Sequence, residues 1–260
     1  MTVSQRDRLA ADLPKVELEA SSGLVENLRQ IKDKEEVARI REAIRQAEKA
    51  FGVIRASLRG GKTEKQVADE LDAQFRLFGA VGSAFPAIVA VGPRAALPHA
   101  KAGAREIGSS DFVLIDWGAN GGLYNSDLTR VLVTGKIPPK LERIYRVVLR
   151  AQHAAIDAIR PGVVAHDVDR VARDRIARAG FGRYFGHGLG HGLGLEVHEG
   201  PRLASGSQVV LKPGMVVTVE PGIYLPGWGG VRIEDDVLVT RTGCEVLSST
   251  PKQFEQMVVD

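Results

Sequence analysis

From Glu35 onward the apolar positions Val37, Ile40, Ile44, Ala47, Phe51, Ile54 and Leu58 recur at alternating steps of three and four. That spacing keeps one stripe apolar along about six turns of an amphipathic helix, which Arg59-Gly60-Gly61 ends. Thr63, with Lys65-Gln66 behind it, caps a second predicted helix that runs to about Phe78 and closes at Gly79. A turn-rich stretch around Gly92-Pro93 and Pro98 follows, and the unbroken apolar run Phe112 to Ile115 predicts a strand.

The same order then returns. A helix is predicted from Leu141 through Ile144, Val148, Ala151, Ala155 and Ala158, broken at Arg160-Pro161-Gly162, and a further one from about Val168 to Ala179, ended by Gly180. After a glycine and histidine segment comes the apolar strand Met215 to Val219. Gly61 and Gly162, Val67 and Val168, Gly79 and Gly180 match at one constant offset of 101, so two copies of one structural plan are expected.

Each copy closes its strand with an acid followed two residues later by glycine, Asp116-Trp117-Gly118 and Glu220-Pro221-Gly222. Asn120-Gly121-Gly122 signals a hairpin, and a turn centred between the two glycines would set Asp116 opposite Asp127. In the second copy the midpoint between Glu220 and Glu234 is Gly227, within Pro226-Gly227-Trp228-Gly229, so these two acids should also meet. Opposed side chains lie about 4.5 to 5.5 Å apart at Cβ and like charges there repel, so something positive belongs between them. Alternation puts Asp236 on the same side as Glu234, which leaves Asp236 as an alternative ligand.

Three of the six histidines, His187, His191 and His198, fall in the run Gly186 to Gly200. Glycines at positions 186, 188, 190, 192 and 194 would let backbone or a bound peptide approach closely. In an extended segment His187 and His191 share a face, whereas His198 has the opposite parity and needs a bend to join them. If the two copies pack symmetrically, four carboxylates and at least one imidazole gather. That donor set suits Mn²⁺ or Co²⁺, with Zn²⁺ and Fe²⁺ open, and four carboxylates exceed what one catalytic zinc uses, so two ions are expected. His153 on a helix, His166 in a loop and the single Cys244 read as structural residues.

Composition narrows the field further. A chain of 260 residues with this balance of apolar and charged residues makes one large globular domain or two ordinary ones. Met1 to Pro14 contains no apolar targeting core and no stretch approaches the roughly 18 apolar residues of a membrane span, so a cytoplasmic protein is expected. A net charge of +3 with the signs interleaved, and 5% aromatic residues, argue against a nucleic-acid partner. Gly60-Gly61-Lys62-Thr63 fails as a phosphate loop because Ala56 stands where the first glycine is needed.

The stretches Ala96-Leu97-Pro98-His99-Ala100, Ile115-Asp116-Trp117-Gly118-Ala119, Ser126-Asp127-Leu128-Thr129-Arg130, His187 through Glu199, Val219-Glu220-Pro221-Gly222-Ile223-Tyr224 and Val231-Arg232-Ile233-Glu234-Asp235-Asp236 together resemble the pita-bread metallopeptidases, in the branch of Xaa-Pro aminopeptidases and Xaa-Pro dipeptidases. The resemblance runs from about Val25 to the C-terminus. It implies an α+β fold of two pseudo-symmetric halves, with a curved antiparallel sheet covered by helices. It implies Asp116, Asp127, His191, Glu220 and Glu234 as ligands of two divalent ions, choosing Glu234 over Asp236. His99, His187 and His198 are implied to bind substrate and stabilise the transition state, and Glu220 to shuttle a proton. Arg232, on the strand face of Glu234, would balance charge or anchor a substrate carboxylate.

The implied reaction is hydrolysis of the bond between an N-terminal residue and a following proline by a metal-bridging hydroxide. Its substrates would be short peptides with proline second, without nucleic-acid or membrane partners, and a homodimer is an open assembly state. An aminopeptidase of other selectivity, a creatinase-like hydrolase and a non-catalytic pita-bread binding module are the competing readings. Residues 1–30 read as a connecting segment, the remnant of a linker to an N-terminal domain that longer members carry, and residues 31–260 as the catalytic domain. Gly92-Pro93-Arg94 departs from the family pattern, which often has Asn there.

Overall fold

In the computed structural model, which describes residues 1–58 and 60–259, two short helices, α1 (Val3–Asp12) and α2 (Leu24–Arg29), precede the long α3 (Lys34–Ser57). Asp33 caps α3 by accepting the backbone N–H groups of Glu35 and Glu36, while the Glu36 carboxylate accepts from Asp33 N–H. The periodic stripe faces inward as its spacing requires, with Ile40, Ile44, Ala47, Phe51 and Ile54 all buried. Helix α4 (Glu64–Leu77) starts from the Thr63 cap, whose hydroxyl accepts Gln66 N–H at 3.2 Å. It ends where Gly79, at φ +93°, lets Ala80 N–H reach back to Phe75 O.

Helices α5 (Pro139–Ala158) and α6 (Ala165–Arg178) repeat this pair. The residues matched at the offset of 101 also match in conformation: Gly61 and Gly162 take φ +89° and +86°, Gly79 and Gly180 take +93° and +87°, and Val67 and Val168 are both fully buried. Helix α6 begins three residues ahead of Val168 because the polar His166-Asp167 turn precedes its apolar stripe.

The first copy supplies strands β1 (Gly82–Ser83), β2 (Ile88–Val91), β3 (Phe112–Trp117), β4 (Ala119–Asn120) and β5 (Leu128–Val133), with β2, β3 and β5 side by side and antiparallel. The second supplies β6 (Gly190–Gly192), β7 (Glu199–Leu203), β8 (Val216–Val219), β9 (Gly222–Leu225), β10 (Gly229–Arg232), β11 (Asp235–Val239) and β12 (Cys244–Val246). Five of these lie in the order β12-β11-β8-β6-β7, and β9 pairs β10. A bridge from Thr129 to Glu234, with Glu234 N–H donating to Thr129 O at 3.2 Å, joins the two halves. One apolar cluster runs through both, and Phe51 stacked on Trp117 at 3.9 Å ties α3 to the strand that carries Asp116.

The two hairpins fare differently against their expected registers. Gly222 faces Arg232 and Val219 faces Asp235, so Glu220 and Glu234 stand opposite each other around Gly227, as the midpoint requires. In the first half Asp116 faces Thr129, not Asp127. The Asn120 side chain accepts Gly122 N–H and Gly121 N–H donates to Tyr124 O, which moves the turn centre to Gly122-Leu123. Asp116 and Asp127 become diagonal neighbours on one face instead.

Away from the site, His166 Nδ1 lies 3.0 Å from Ser207 O and Cys244 Sγ donates to Ile156 O. Among the described residues no helix is long and apolar enough to cross a membrane.

Candidate metal and catalytic centre

Strand ends from both halves deliver the acids and the imidazole to one place. Asp116 comes from β3, Asp127 from the turn before β5, His191 from β6, Glu220 from the end of β8 and Glu234 from between β10 and β11. Glycines make this convergence possible by strand packing. A Cβ on Gly190 would stand 2.0 Å from Thr218 O, one on Gly192 1.9 Å from Gly200 O, and one on Gly188 3.0 Å from Ala204 Cβ. The backbone alternative for these glycines therefore holds, while Gly188 and Gly190 also line the cavity beside the acids. Chain residues already fill the space an added Cβ would take, whereas Gly186 has nothing within 4 Å.

Donor atoms of His191, Glu220 and Glu234 lie within 4.8 Å of one another, as do those of Asp116, Asp127 and Glu234, so Glu234 belongs to both groups. Asp127, His191 and His198 form a further such group. His191 directs Nδ1 at Gly192 O, 3.1 Å away, which leaves Nε2 facing Glu220 Oε1 at 3.3 Å and Asp127 Oδ2 at 3.6 Å. Two of the carboxylates and the backbone of a third acid are steadied from behind. Thr129 Oγ1 donates to Glu234 at 2.5 Å, Thr218 Oγ1 donates to Glu220 at 3.2 Å, and Asp236 accepts the N–H of Asp127 at 3.2 Å.

The centre is short of positive charge. Burial, followed by the charge of Glu234, pushes Asp127 well above the usual carboxylate range, and burial with Glu220 does the same to Glu234. Burial also raises Asp116, although Arg232 opposes it. Burial alone would raise Glu220 too, but the hydrogen bond and charge of His191 outweigh it and Glu220 lies below its ordinary value. Among the described residues Asp116 Oδ1 and Glu234 Oε1 are buried without a hydrogen-bond partner. Orphaned acceptors in an oxygen-rich set with one imidazole fit hard or borderline divalent cations.

Arg232, 3% exposed, spends its guanidinium inside the protein. It donates to Asp116 at 2.5 Å, Thr129 at 3.0 Å, Tyr224 Oη at 2.9 Å and Pro98 O at 3.4 Å, which favours charge balance over a substrate anchor. Tyr224 in turn meets His187 Nε2 at 2.8 Å, while His187 Nδ1 lies 2.7 Å from Gly188 O, so both nitrogens of His187 are engaged. Burial keeps His187 below its ordinary value. Among the described residues no hydrogen bond holds the imidazole of His99 or His198, and both rings are exposed on a cavity of about 1230 Å³ that contains the whole centre. The bend expected before His198 is present, and its ring sits 4.3 Å from that of His191.

Sequence reasoning gave no role to Tyr224, Thr129, Thr218 or Arg202, the last a lining residue of the cavity. Tyr224 was within reach of it, because Glu220, Gly222 and Tyr224 share a strand face and a Cβ on Gly222 would strike Tyr224 Oη. Arg94, in the unusual Gly92-Pro93-Arg94, has a plain use. It donates to both oxygens of the fully buried Glu64 and to Lys101 O, and Glu64 also accepts the N–H groups of Val91 and Gly103, which clamps the loop bearing His99.

Residues 38–241 match the family model for metallopeptidase family M24, a span that contains all five candidate ligands and the three histidines. An uncharacterized peptidase of Bacillus subtilis is 44% identical over 254 residues, covering 98% of this chain and 72% of that protein. The Xaa-Pro dipeptidase of Pyrococcus furiosus is 44% identical over 231 residues, covering 89% and 66%. Among solved structures, the Xaa-Pro dipeptidase from Bacillus anthracis superposes with a TM-score of 0.95 at 44% identity, covering 100% of this chain and 72% of that one. The X-Pro aminopeptidase from Thermotoga maritima superposes at 0.94 with 39% identity, covering 100% and 73%. The chain thus spans between 66% and 73% of the length of these relatives. Sequence and backbone agree over nearly all of its own length, so the chain, built on the pita-bread fold, belongs to metallopeptidase family M24.

Proposed function

We propose that this chain is a dinuclear metal-dependent exopeptidase that releases an N-terminal residue from before proline. The carrying observation is the pair of donor groups that share Glu234 on the wall of one cavity. Membership of the family implies divalent ions, and Asp116, Asp127, His191, Glu220 and Glu234 would hold two of them, Mn²⁺ or Co²⁺ by the hardness of the oxygens. When bound, the ions supply an activated water and polarise the scissile carbonyl.

The chain's own groups do the rest. Glu220, on the wall of the cavity beside His191, accepts the proton of the attacking water and returns it to the departing proline nitrogen. His99 and His198 have uncommitted nitrogens and donate to the developing oxyanion and the substrate backbone. Partial burial and the neighbouring His191 hold His198 below its ordinary value, so it donates as neutral imidazole near pH 7. His187, committed to Gly188 and Tyr224, shapes the pocket around the substrate. Phe85, Pro86, Ala87 and Ala204 give the cavity apolar wall against which a proline ring packs. Proline's tertiary amide has no N–H to offer, so recognition rests on shape. Short peptides, a cytoplasmic location and a homodimer belong to the same reading.

The test uses the purified chain, stripped and reloaded with Mn²⁺ or Co²⁺, on Xaa-Pro dipeptides, Xaa-Pro-Yaa tripeptides and their alanine counterparts. Two ions per chain and cleavage confined to the proline series are expected, with hydrolysis abolished in Asp116→Asn and His191→Ala. Fewer than two ions, or equal rates on the alanine series, would overturn the reading. Preference between dipeptide and tripeptide separates a dipeptidase from an aminopeptidase.

A further inference from the structure

Glu199 opens β7 directly after His198, and its carboxylate is nearly buried, with a side chain 6% exposed. Lys32 Nζ donates to Oε1 at 2.6 Å, Arg29 Nη2 donates to Oε2 at 2.6 Å, and the N–H of Glu196 adds a longer bond at 3.3 Å. Lys32 itself is sealed in, its side chain 1% exposed and its N–H given to Gly214 O at 2.8 Å.

Three glycines make room for this segment. A Cβ on Gly194 would stand 2.6 Å from Glu199 Oε1 and 3.0 Å from Lys32 Cε, one on Gly200 3.0 Å from the Gln30 amide, and one on Gly214 2.8 Å from Lys32 O. Two of these glycines belong to the histidine run. Residues 30–32 are therefore fitted against the back of the loop whose front carries His198.

Burying a lysine with a carboxylate contributes little net stability, because desolvation offsets the attraction, but it fixes geometry closely. Geometry is what His198 lacks by itself, since among the described residues no hydrogen bond holds its ring. We propose that Lys32 and Arg29 are positioning residues, which set the place of His198 in the catalytic centre through Glu199. The segment ahead of α3, residues 1–30 of which read from sequence as a connecting remnant, then completes the centre from outside the span that matches the family model. This proposal rests on the peptidase reading, in which His198 donates to substrate.

A misplacement on the order of 1 Å costs up to about 100-fold in rate. Lys32→Met in the full Mn²⁺-loaded chain should lower kcat by about 10- to 100-fold on an Xaa-Pro peptide, with KM moved less than about threefold and metal content unchanged. Lys32→Arg should recover most of the rate. In a His198→Ala background Lys32→Met should cost nothing further. A readout independent of turnover is the imidazole NMR signal of His198 in the metal-free protein, identified by its loss in His198→Ala, which should shift or broaden in Lys32→Met.

An unchanged kcat and an unmoved signal would overturn the proposal, as would an equal rate loss with and without His198. Arg29→Gln and Glu199→Gln carry the same comparison if Lys32→Met does not fold. If the unsubstituted chain cleaves no proline peptide, the peptidase reading fails while the NMR signal still decides whether the clamp positions His198.

Discussion

Arg232 donates to Asp116 across 2.5 Å, with the two residues 3% and 8% exposed. Four acids crowd the centre, and this guanidinium together with His191 supplies the positive charge that touches them. Removing one partner of a buried pair costs roughly 3 to 5 kcal/mol, because the other is left uncompensated. Divalent ions would take over that compensation. Arg232→Met should therefore destabilise the metal-free protein by about 3 kcal/mol and the Mn²⁺-loaded protein by much less. Thermal unfolding with and without metal measures both, and equal losses in the two states would refute the account.

Metal should also displace protons. Asp127 and Glu234 are pushed well above the usual carboxylate range, first by burial and then by neighbouring acids, so the metal-free site holds protons that binding must release. Affinity for Mn²⁺ should consequently rise as pH increases from about 5 to 7, with protons counted by calorimetry in buffers of different ionisation enthalpy. At a metal concentration of about 100 times Kd, the loaded form should be more stable by about 2.7 kcal/mol. Affinity independent of pH would contradict the electrostatic picture.

His198 shares a donor group with Asp127 and His191, yet it is exposed while those two are buried. His198→Ala should keep both ions and lose about 100-fold in kcat, whereas Asp127→Asn should lose metal together with activity. Loss of metal from His198→Ala, read by elemental analysis, would make it a ligand and revise the donor set.

Much of this arrangement was legible because it follows one-dimensional rules. The three-four spacing from Val37 to Leu58 defines α3, and the glycine pairs at the offset of 101 share their positive φ because each closes the same turn. The hairpin around Gly227 follows from a midpoint between two acids. Its counterpart does not, because a side-chain bond from Asn120 lengthens the turn, an effect that spacing cannot carry. Thr129 and Lys32 act on residues distant in the chain, so their roles became visible only with the strands in register, whereas Thr218 lies two residues from Glu220 and was within reach of strand alternation.

Asp235 sits between two ligand-bearing strand ends and contributes to the fold rather than to metal. Burial alone would raise its pKa, but the charges of Arg130 and Lys252 and the hydrogen bonds from Lys252 and Ser248 hold it down at about 2. A depressed folded pKa means that the stabilisation is complete above the unfolded value near 3.8 and is lost as pH falls toward 2. That contribution amounts to about 2 kcal/mol. Asp235→Asn should be destabilised at pH 7 by about 3 kcal/mol, since Arg130 is left buried without its partner at 2.8 Å. Its acid denaturation should be less steep between pH 4 and 2, and an unaltered acid limb would remove Asp235 from the account.

The histidine run offers a comparison between glycines that differ only in what surrounds them. Gly192 lies in β6, where an added Cβ would fall 1.9 Å from Gly200 O and 2.9 Å from Pro201 N, both backbone atoms that cannot swing aside. Gly186, six residues earlier, has nothing within 4 Å and is not among the glycines at positive φ. Gly192→Ala should therefore force β6 and β7 apart, displace His191 and cost several kcal/mol, on the scale of severe overpacking, about 3 kcal/mol or more. Gly186→Ala should fold with unchanged or slightly higher stability, by about 0.4 to 1 kcal/mol, because alanine restricts the unfolded chain. Chemical denaturation of both variants distinguishes the two origins for the glycine content. If Gly192→Ala proves as stable as Gly186→Ala and still loses peptide hydrolysis, the glycines serve the substrate after all and strand packing is not their cause.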